Sequence, residues 1–164
     1  MSRNKPSLLV VEDDANTARF LAENLVADGF DVTTSPNCAA ALRSLGTVEH
    51  DLVLLDVNLP DGSGLDLLRR IREQDDVPDG VSPDLSVIVV SGRDQELERL
   101  RGFERGADDY VVKPFSYSEL RARIAAVQRR SSASERAGRV RVGDLLVDRR
   151  ARTVSVAGRP VELS

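Results

Sequence analysis

The chain has 164 residues, of which 41% are hydrophobic and 30% are charged, and its formal net charge is −4. These values predict a globular protein with one domain of ordinary size and a remainder, and no apolar run approaches the ~18 residues of a membrane-spanning helix. Cys38 is the sole cysteine and His50 the sole histidine, which excludes an intrachain disulfide and argues against a His/Cys metal centre or a Ser-His-Asp triad.

Short apolar runs without alternation recur along the first 130 residues. Residues 8–11, 52–55 and 87–90 are the clearest, and a weaker run begins at Tyr110. Runs of this kind are typical of strands that are buried on both faces, as in a parallel sheet. We therefore place strands near residues 7–12, 31–34, 51–55, 86–90 and 109–112.

Apolar residues at helical spacing lie between these strands, for example Ala18, Leu21 and Leu25. The alternation of strand and helix, repeated five times, predicts an α/β fold with an open sheet and right-handed crossovers. We place the helices near residues 15–28, 36–46, 63–74, 94–105 and 116–130.

Composition changes after the last of these helices. Residues 1–130 hold 16 basic and 23 acidic residues, whereas residues 131–164 hold 7 basic and 4 acidic ones, so we expect two units with different partners. Residues 131–138 are predicted to be a linker. Residues 139–164 alternate apolar and polar side chains across short turns, which predicts antiparallel strands. Residues 75–85, with two prolines and four aspartates, are predicted to be an exposed loop.

Polar residues follow the predicted strands, and ligands of open α/β sheets bind beyond the carboxyl ends of the strands. Several carboxylates in one small region repel one another and stay ionised together only beside a cation. Carboxylate oxygens without cysteine or histidine favour Mg²⁺, and Mn²⁺ as a second choice. The residues at the strand ends are Glu12, Asp13 and Asp14 on the first strand, Asp56 on the third, Ser91 on the fourth and Lys113 on the fifth.

Asp56 is the expected nucleophile of this site, because a carboxylate can attack phosphorus and form an acyl phosphate. Lys113 is one of two lysines among 23 basic residues, and its compact ammonium suits a small anion better than the planar guanidinium of arginine. Ser91 could donate a hydrogen bond to a phosphoryl oxygen. Each residue also has a plainer explanation, as a turn, helix cap or solvated charge, and only their joint position favours the site.

Four motifs together resemble the receiver domain of two-component response regulators, over about residues 7–130. The resemblance implies a flavodoxin-like, five-stranded parallel sheet in the order 2-1-3-4-5 with helices on both faces. The four motifs are Val10-Val-Glu-Asp-Asp14, Asp56-Val-Asn-Leu-Pro-Asp-Gly62, Val90-Ser-Gly92 and Gly106-Ala-Asp-Asp-Tyr-Val-Val-Lys-Pro-Phe115. Two departures are Gly92, where alanine is usual, and a longer loop at residues 75–85.

The resemblance also implies functional roles for individual residues. A sensor histidine kinase would phosphorylate Asp56, and the domain would be a phosphoacceptor rather than an enzyme in the ordinary sense. Mg²⁺ would be held by Asp13, Asp56 and the backbone carbonyl of Asn58, with Glu12 helping through water. Further expectations are a switch pair, Ser91 and Tyr110, and a cis peptide bond between Lys113 and Pro114.

The charged residues of the fourth helix, fifth strand and fifth helix resemble those of the OmpR/PhoB-like subfamily, whose members dimerise through this face. In that case Arg99 would pair with Glu119, and Asp109 with Arg123, across a two-fold axis. The dimer face would comprise Arg99, Arg101, Asp108, Asp109, Glu119, Arg123 and Arg130.

Residues 139–164 resemble the N-terminal antiparallel platform of that subfamily's winged-helix DNA-binding domain. The recognition helix would follow residue 164, so we expect these residues to belong to a longer transcription factor that binds promoter DNA only as a full-length protein. A cytoplasmic location without membrane contact is expected, since no signal-peptide core precedes the first strand. A Mg²⁺-dependent phosphohydrolase is the main alternative, but such enzymes usually carry a second acid two residues after the nucleophile, where this chain has Asn58. A stand-alone protein-interaction module is a further alternative, against which the platform-like residues 139–164 argue.

Overall fold

The computed structural model describes residues 4–92, 101, 103–142, 145–148, 153–156 and 159–161. Its first seven strands, in chain order, are β1 (Ser7–Val11), β2 (Asp31–Ser35), β3 (Leu52–Asp56), β4 (Asn58–Leu59), β5 (Gly62–Ser63), β6 (Ser86–Ser91) and β7 (Asp109–Val112). Five of them form a parallel sheet in the order β2-β1-β3-β6-β7, which confirms the predicted flavodoxin-like order. The remaining two, β4 and β5, form a short antiparallel hairpin that the sequence did not predict.

The structure describes four helices, and side chains cap the start of the first three. They are α1 (Ala15–Ala27), α2 (Cys38–Thr47), α3 (Gly64–Glu73) and α4 (Tyr117–Gly138). Asp14, Asn37 and Ser63 accept hydrogen bonds from backbone amides in the first turns of α1, α2 and α3, which satisfies groups that lack partners within the helix. Most of the helix predicted at residues 94–105 lies outside the described residues.

The centre of the sheet is buried on both faces. All residues of β1, β3 and β6 are buried, as expected for the middle strands of a parallel sheet that helices cover. On one face the strands pack against α2 and α3 through a core that includes Leu55, Leu68, Ile71 and Tyr110. This packing fixes the strand ends, where the polar residues lie.

Residues 131–138, which are predicted to be a linker, are helical in the structure, because α4 continues through them to Gly138. The serines of this segment suggested an irregular linker, but alanine, glutamate and arginine between them are good helix formers. The segment also follows directly on a helix, so each further residue adds a hydrogen bond without a new nucleation cost.

The C-terminal strands form a separate antiparallel sheet. The strands are β8 (Arg139–Val142), β9 (Leu145–Asp148), β10 (Thr153–Val156) and β11 (Arg159–Val161), in the order β11-β10-β9-β8. The predicted antiparallel strands are therefore confirmed for the described residues. Among the residues that the structure describes, no helix is both long enough and apolar enough to cross a membrane.

The loop after α3 is anchored more firmly than its composition predicts. Val81 and Leu85 are buried in the core. Arg72 of α3 donates hydrogen bonds to the carbonyls of Pro83 and Leu85 on this loop, and also to the carbonyl of Gly106 ahead of β7. One arginine thus links α3 to the segments that precede β6 and β7.

Arg72→Ala is expected to lower the free energy of unfolding by about 3 kcal/mol, because three carbonyls lose a charged donor. Urea unfolding measures this change. Arg69→Ala is the matched control on the same helix, since Arg69 pairs only with the exposed carboxylates of Asp66, Glu73 and Asp75 among the ion pairs described and should cost less than about 1 kcal/mol. Equal losses in the two variants would show that the Arg72 links contribute no more than a surface ion pair.

Candidate functional site

Three carboxylates meet at the carboxyl ends of β1 and β3. Glu12, Asp13 and Asp56 each offer a carboxylate oxygen, and these oxygens lie within 4.8 Å of one another. Glu12 and Asp56 are buried, whereas Asp13 is exposed. Such an arrangement offers several hard oxygen ligands to a single cation, with one side open to solvent.

Lys113 lies beside the two buried carboxylates. Its Nζ is 2.8 Å from Oε1 of Glu12 and 3.4 Å from Oδ2 of Asp56. Burial of the ammonium works against its charged form, but the hydrogen bond to Glu12 and the charges of both carboxylates outweigh burial and raise the pKa of Lys113. The lysine therefore stays charged and points at the edge of the acidic cluster.

The surroundings of Glu12 strongly raise the pKa of its carboxyl group. Burial is the largest cause, and the neighbouring Asp56 carboxylate adds to it, so the pKa of Glu12 rises to about 7 although Lys113 opposes the shift. Without a metal ion, the cluster therefore holds a proton near neutral pH. A cation that binds there must compete with that proton.

This shift predicts a pH dependence of stability in EDTA. Between about pH 4.5 and 7 the folded protein binds more protons at Glu12 than the unfolded chain does, so the free energy of unfolding falls as the pH rises through this window. Glu12→Gln should remove this loss. Its free energy of unfolding should exceed that of the wild type by on the order of 2 kcal/mol at pH 8, but by little at pH 4. Urea unfolding of both proteins at pH 4 and pH 8 tests this prediction. An equal increase in the free energy of unfolding at the two pH values would contradict the raised pKa of Glu12.

Asp14, the third acidic residue after β1, caps helix α1 and is not a member of the carboxylate cluster. The side chain of Asp14 accepts a hydrogen bond of 2.9 Å from the amide of Thr17, and this hydrogen bond is the main reason that the pKa of Asp14 is lowered. Asp14 is thus the N-cap of α1. At the other side of the cluster, the backbone amide of Asn58 donates a hydrogen bond of 3.2 Å to Oδ1 of Asp56. The backbone of Asn58 therefore lies next to the predicted nucleophile.

Ser91 and Tyr110 lie on neighbouring strands. Ser91 pairs with Val112, and Tyr110 pairs with Val89, so the side chains of Ser91 and Tyr110 share one face of the sheet. Ser91 is 0% exposed and Tyr110 5%. The amide of Lys113 donates to the carbonyl of Ser91 at 2.7 Å, and the predicted cis peptide bond at Lys113-Pro114 is confirmed.

Three of the predicted dimer residues, Asp108, Asp109 and Arg123, form contacts within the chain. Arg123 donates to both carboxylate oxygens of Asp109, at 3.1 and 3.2 Å, so the pair expected across a two-fold axis is already made inside one molecule. Asp108 pairs with Arg72 and accepts from the amide of Val87.

Of the remaining predicted dimer residues, one makes a contact within its own helix, two are exposed and one lies outside the described residues. Glu119 contacts Arg123 one helical turn away, at 3.4 Å, and the side chains of Arg101 and Arg130 are exposed. Arg99, the predicted partner of Glu119, lies outside the described residues. The described contacts place Asp109, Glu119 and Arg123 next to one another on one surface.

Gly64 is a residue of the site that the sequence reasoning missed. A Cβ at this position would lie 2.0 Å from the backbone oxygen of Asp56. The first residue of α3 therefore packs directly on the backbone of the predicted nucleophile, and only glycine fits there. A glycine at the start of a helix, eight residues after a strand-end aspartate, was the available signal.

Comparisons with known proteins agree with this geometry. A family model described as the response regulator receiver domain matches residues 8–125. The sensory transduction protein RegX3 of Mycolicibacterium smegmatis is 39% identical over 161 residues, covering 96% of this chain and 67% of RegX3. The phosphate regulon transcriptional regulatory protein PhoB of Rhizobium meliloti is 39% identical over 158 residues, with the same coverage. The chain spans about two thirds of the length of the curated relatives it matches.

Solved structures give the same result. The receiver domain of non-phosphorylated HemR from Leptospira biflexa is 35% identical, with a TM-score of 0.67, covering 75% of this chain and 94% of that one. The Thermotoga maritima response regulator DrrB, an OmpR/PhoB homolog, is 31% identical with a TM-score of 0.60, covering 98% of this chain and 67% of that one. Similarity thus extends over both the parallel sheet and the antiparallel strands.

Proposed function

Because the chain belongs to the response-regulator family, with a receiver domain over residues 8–125, we propose that it accepts a phosphoryl group on Asp56 in a Mg²⁺-dependent reaction and acts as the switch of a transcription factor. The observation that supports this most directly is the position of Lys113 beside Asp56 and Glu12, at the open edge of the acidic cluster. A phosphohydrolase is disfavoured, because the family match is to a receiver domain.

The acidic cluster fits Mg²⁺ in chemistry and in charge. Asp13, Asp56 and the backbone carbonyl of Asn58 are the proposed ligands, with Glu12 bonded through water, and Mn²⁺ would suit the same oxygens. When bound, the ion would neutralise the carboxylates and the negative charge of an incoming phosphoryl group.

The protein's own groups then have distinct tasks. Asp56 supplies the nucleophilic oxygen, and burial shields the resulting acyl phosphate from water. The Lys113 ammonium, which now contacts Glu12 and Asp56, would donate to a phosphoryl oxygen where negative charge develops. Ser91, at the adjoining strand end, would donate a second hydrogen bond. The same residues would permit slow loss of the phosphoryl group to water.

The proposed switch links Asp56 to the surface of β7 and α4. A phosphoryl group on Asp56 adds charge that attracts the Ser91 hydroxyl, and Tyr110 follows because it lies on the same face of the sheet. In this structure Tyr110 is already buried in the core, which is the arrangement that we assign to the phosphorylated state. Phosphorylation would therefore increase the population of this arrangement rather than create it.

The proposed output of the switch is a homodimer through the face that carries Asp109, Glu119 and Arg123. The pair of Asp109 and Arg123 within one chain would have to exchange for the corresponding pair between chains. Because one pair replaces another, we propose that the dimer is controlled by small changes in packing rather than by a large gain in electrostatic energy.

The proposed partners follow from the same family membership. A sensor histidine kinase would supply the phosphoryl group. Promoter DNA is the proposed target, because relatives such as PhoB of Rhizobium meliloti are transcriptional regulatory proteins. The proposed place of action is the cytoplasm, in keeping with the single cysteine.

Mass spectrometry of the intact protein after incubation with acetyl phosphate and Mg²⁺ tests the phosphoacceptor. We expect one added phosphoryl group in the wild type and none in Asp56→Asn, which keeps the size of the side chain but lacks the nucleophilic oxygen. EDTA should abolish the addition. An unmodified wild-type protein would refute the proposal, as would continuous hydrolysis of many phosphoesters without a retained phosphoryl group.

A further inference from the structure

Asp61 connects the β4–β5 hairpin to helix α2. Its two carboxylate oxygens accept hydrogen bonds from the amides of Cys38, at 2.8 Å, and Ala39, at 3.0 Å. These amides belong to the first turn of α2, where backbone donors lack partners within the helix. The two hydrogen bonds lower the pKa of the Asp61 carboxyl group. Asp61 is therefore held as an anion by a helix turn that lies 22 and 23 residues before it in the sequence.

The other end of the same hairpin lies at the phosphoacceptor. In the hairpin, Asn58 pairs with Ser63 and Leu59 with Gly62, so Asp61 lies at the turn between the two strands. The amide of Asn58 donates to Asp56, and the amide of Gly64, directly after the hairpin, donates to the carbonyl of Val57 at 2.8 Å. A displacement at the turn would thus be transmitted along two short strands to Asn58.

The hairpin is too short to hold its own position. Each strand has two residues, and a two-stranded hairpin is marginal in water even when it is longer. Leu59 anchors one side by packing in the core, whereas Asp61 is exposed and can hold the turn only through its hydrogen bonds. A carboxylate that accepts two backbone hydrogen bonds at a helix N-terminus is a strong anchor.

We infer that Asp61 is a positioning residue for the metal site: it fastens the hairpin to α2 and so fixes the backbone carbonyl of Asn58 for Mg²⁺. This inference rests on the proposed function, because Asn58 is a metal ligand only in that account. Asp61 contacts neither the ion nor the phosphoryl group. Its effect is like that of an outer partner of a ligand, whose loss weakens metal affinity by about 10-fold or more.

The test compares two residues that cap the same helix. Asn37 accepts a hydrogen bond from the amide of Ala40, at 2.8 Å, but does not belong to the hairpin. Both Asp61→Ala and Asn37→Ala remove hydrogen bonds from the first turn of α2, and both should lower Tm. Only Asp61→Ala should raise the Kd for Mg²⁺, measured by titration calorimetry, by about tenfold. In the metal-free protein, only Asp61→Ala should speed hydrogen exchange at the amides of Asn58 and Gly64.

Three results distinguish the possible failures. A Kd for Mg²⁺ that Asp61→Ala leaves unchanged, or that both variants raise equally, overturns the inference while the proposed function stands. A wild-type protein that does not bind Mg²⁺ overturns the proposed function, and the inference fails with it. If Asp61→Ala does not fold, Asp61→Asn replaces it, since the amide retains one acceptor oxygen; its Kd should then lie between those of the wild type and a tenfold weakened site, and a wild-type value overturns the inference.

Discussion

Gly64→Ala is expected to lower the free energy of unfolding by about 3 kcal/mol and to abolish phosphorylation of Asp56. The new Cβ would lie 2.0 Å from the backbone oxygen and 2.9 Å from the carbonyl carbon of Asp56, so the backbone of β3 or the start of α3 must move. Neither contact is with the end of a flexible side chain that could rotate away. The displacement falls on the predicted nucleophile itself, so function and stability should be lost together.

Gly92→Ala is the matched control for this prediction. Gly92 also follows a strand end of the site, but a Cβ there would meet no atom of the described residues within 4 Å. We expect its stability to stay within about 0.5 kcal/mol of the wild type, as for a surface substitution. Urea unfolding and phosphorylation with acetyl phosphate measure both variants. A Gly64→Ala protein with wild-type stability would show that α3 can move away from Asp56 without cost.

Lys113→Ala is expected to slow phosphorylation of Asp56 by about 10²–10³-fold, as for the loss of one donor to a developing anion. The lysine contacts both Glu12 and Asp56, so its loss also leaves three acidic side chains without their only described cationic neighbour. Mg²⁺ should therefore bind at least as tightly in the variant although the reaction is slower. Rates from quenched samples, together with a Mg²⁺ titration, separate the two effects.

Lys113→Arg tests the shape of the cation rather than its charge. The planar guanidinium is wider than an ammonium and should keep Mg²⁺ binding while weakening the coupling between phosphorylation and dimerisation. Lys5→Arg is the control, because Lys5 is the other lysine of the chain and is exposed. If Lys113→Arg dimerises normally on phosphorylation, measured by light scattering, the shape of the cation at this position does not matter for the switch.

The strand ends could be predicted from sequence because a parallel sheet brings equivalent ends to one edge. Once residues 8–11 and 52–55 are assigned to parallel buried strands, Glu12 and Asp56 are expected at the same edge of the sheet. The apolar runs alone were sufficient for that step, and the structure places these carboxylates together with Asp13. The order of the strands came from the resemblance of the motifs, not from periodicity.

Residues whose role depends on tertiary contacts could not be predicted in the same way. The sequence does not reveal that Asp61 reaches the first turn of α2, because the hairpin that positions it has only two residues in each strand. The contact of Gly64 with the backbone of Asp56 is equally non-local. The assignment of Asp109 and Arg123 to an interface between chains failed to anticipate their pairing within one chain, since their charges are complementary in either arrangement.

The central claim is that the strand-end residues form a Mg²⁺-dependent site whose nucleophile is Asp56. Its most direct test is to locate the phosphoryl group by fragmentation mass spectrometry after incubation with acetyl phosphate and Mg²⁺, with and without hydroxylamine. The account predicts a single phosphoryl group on Asp56 that hydroxylamine removes, as expected for an acyl phosphate. A phosphoryl group on Asp13, or a hydroxylamine-resistant one on Ser91, would contradict it.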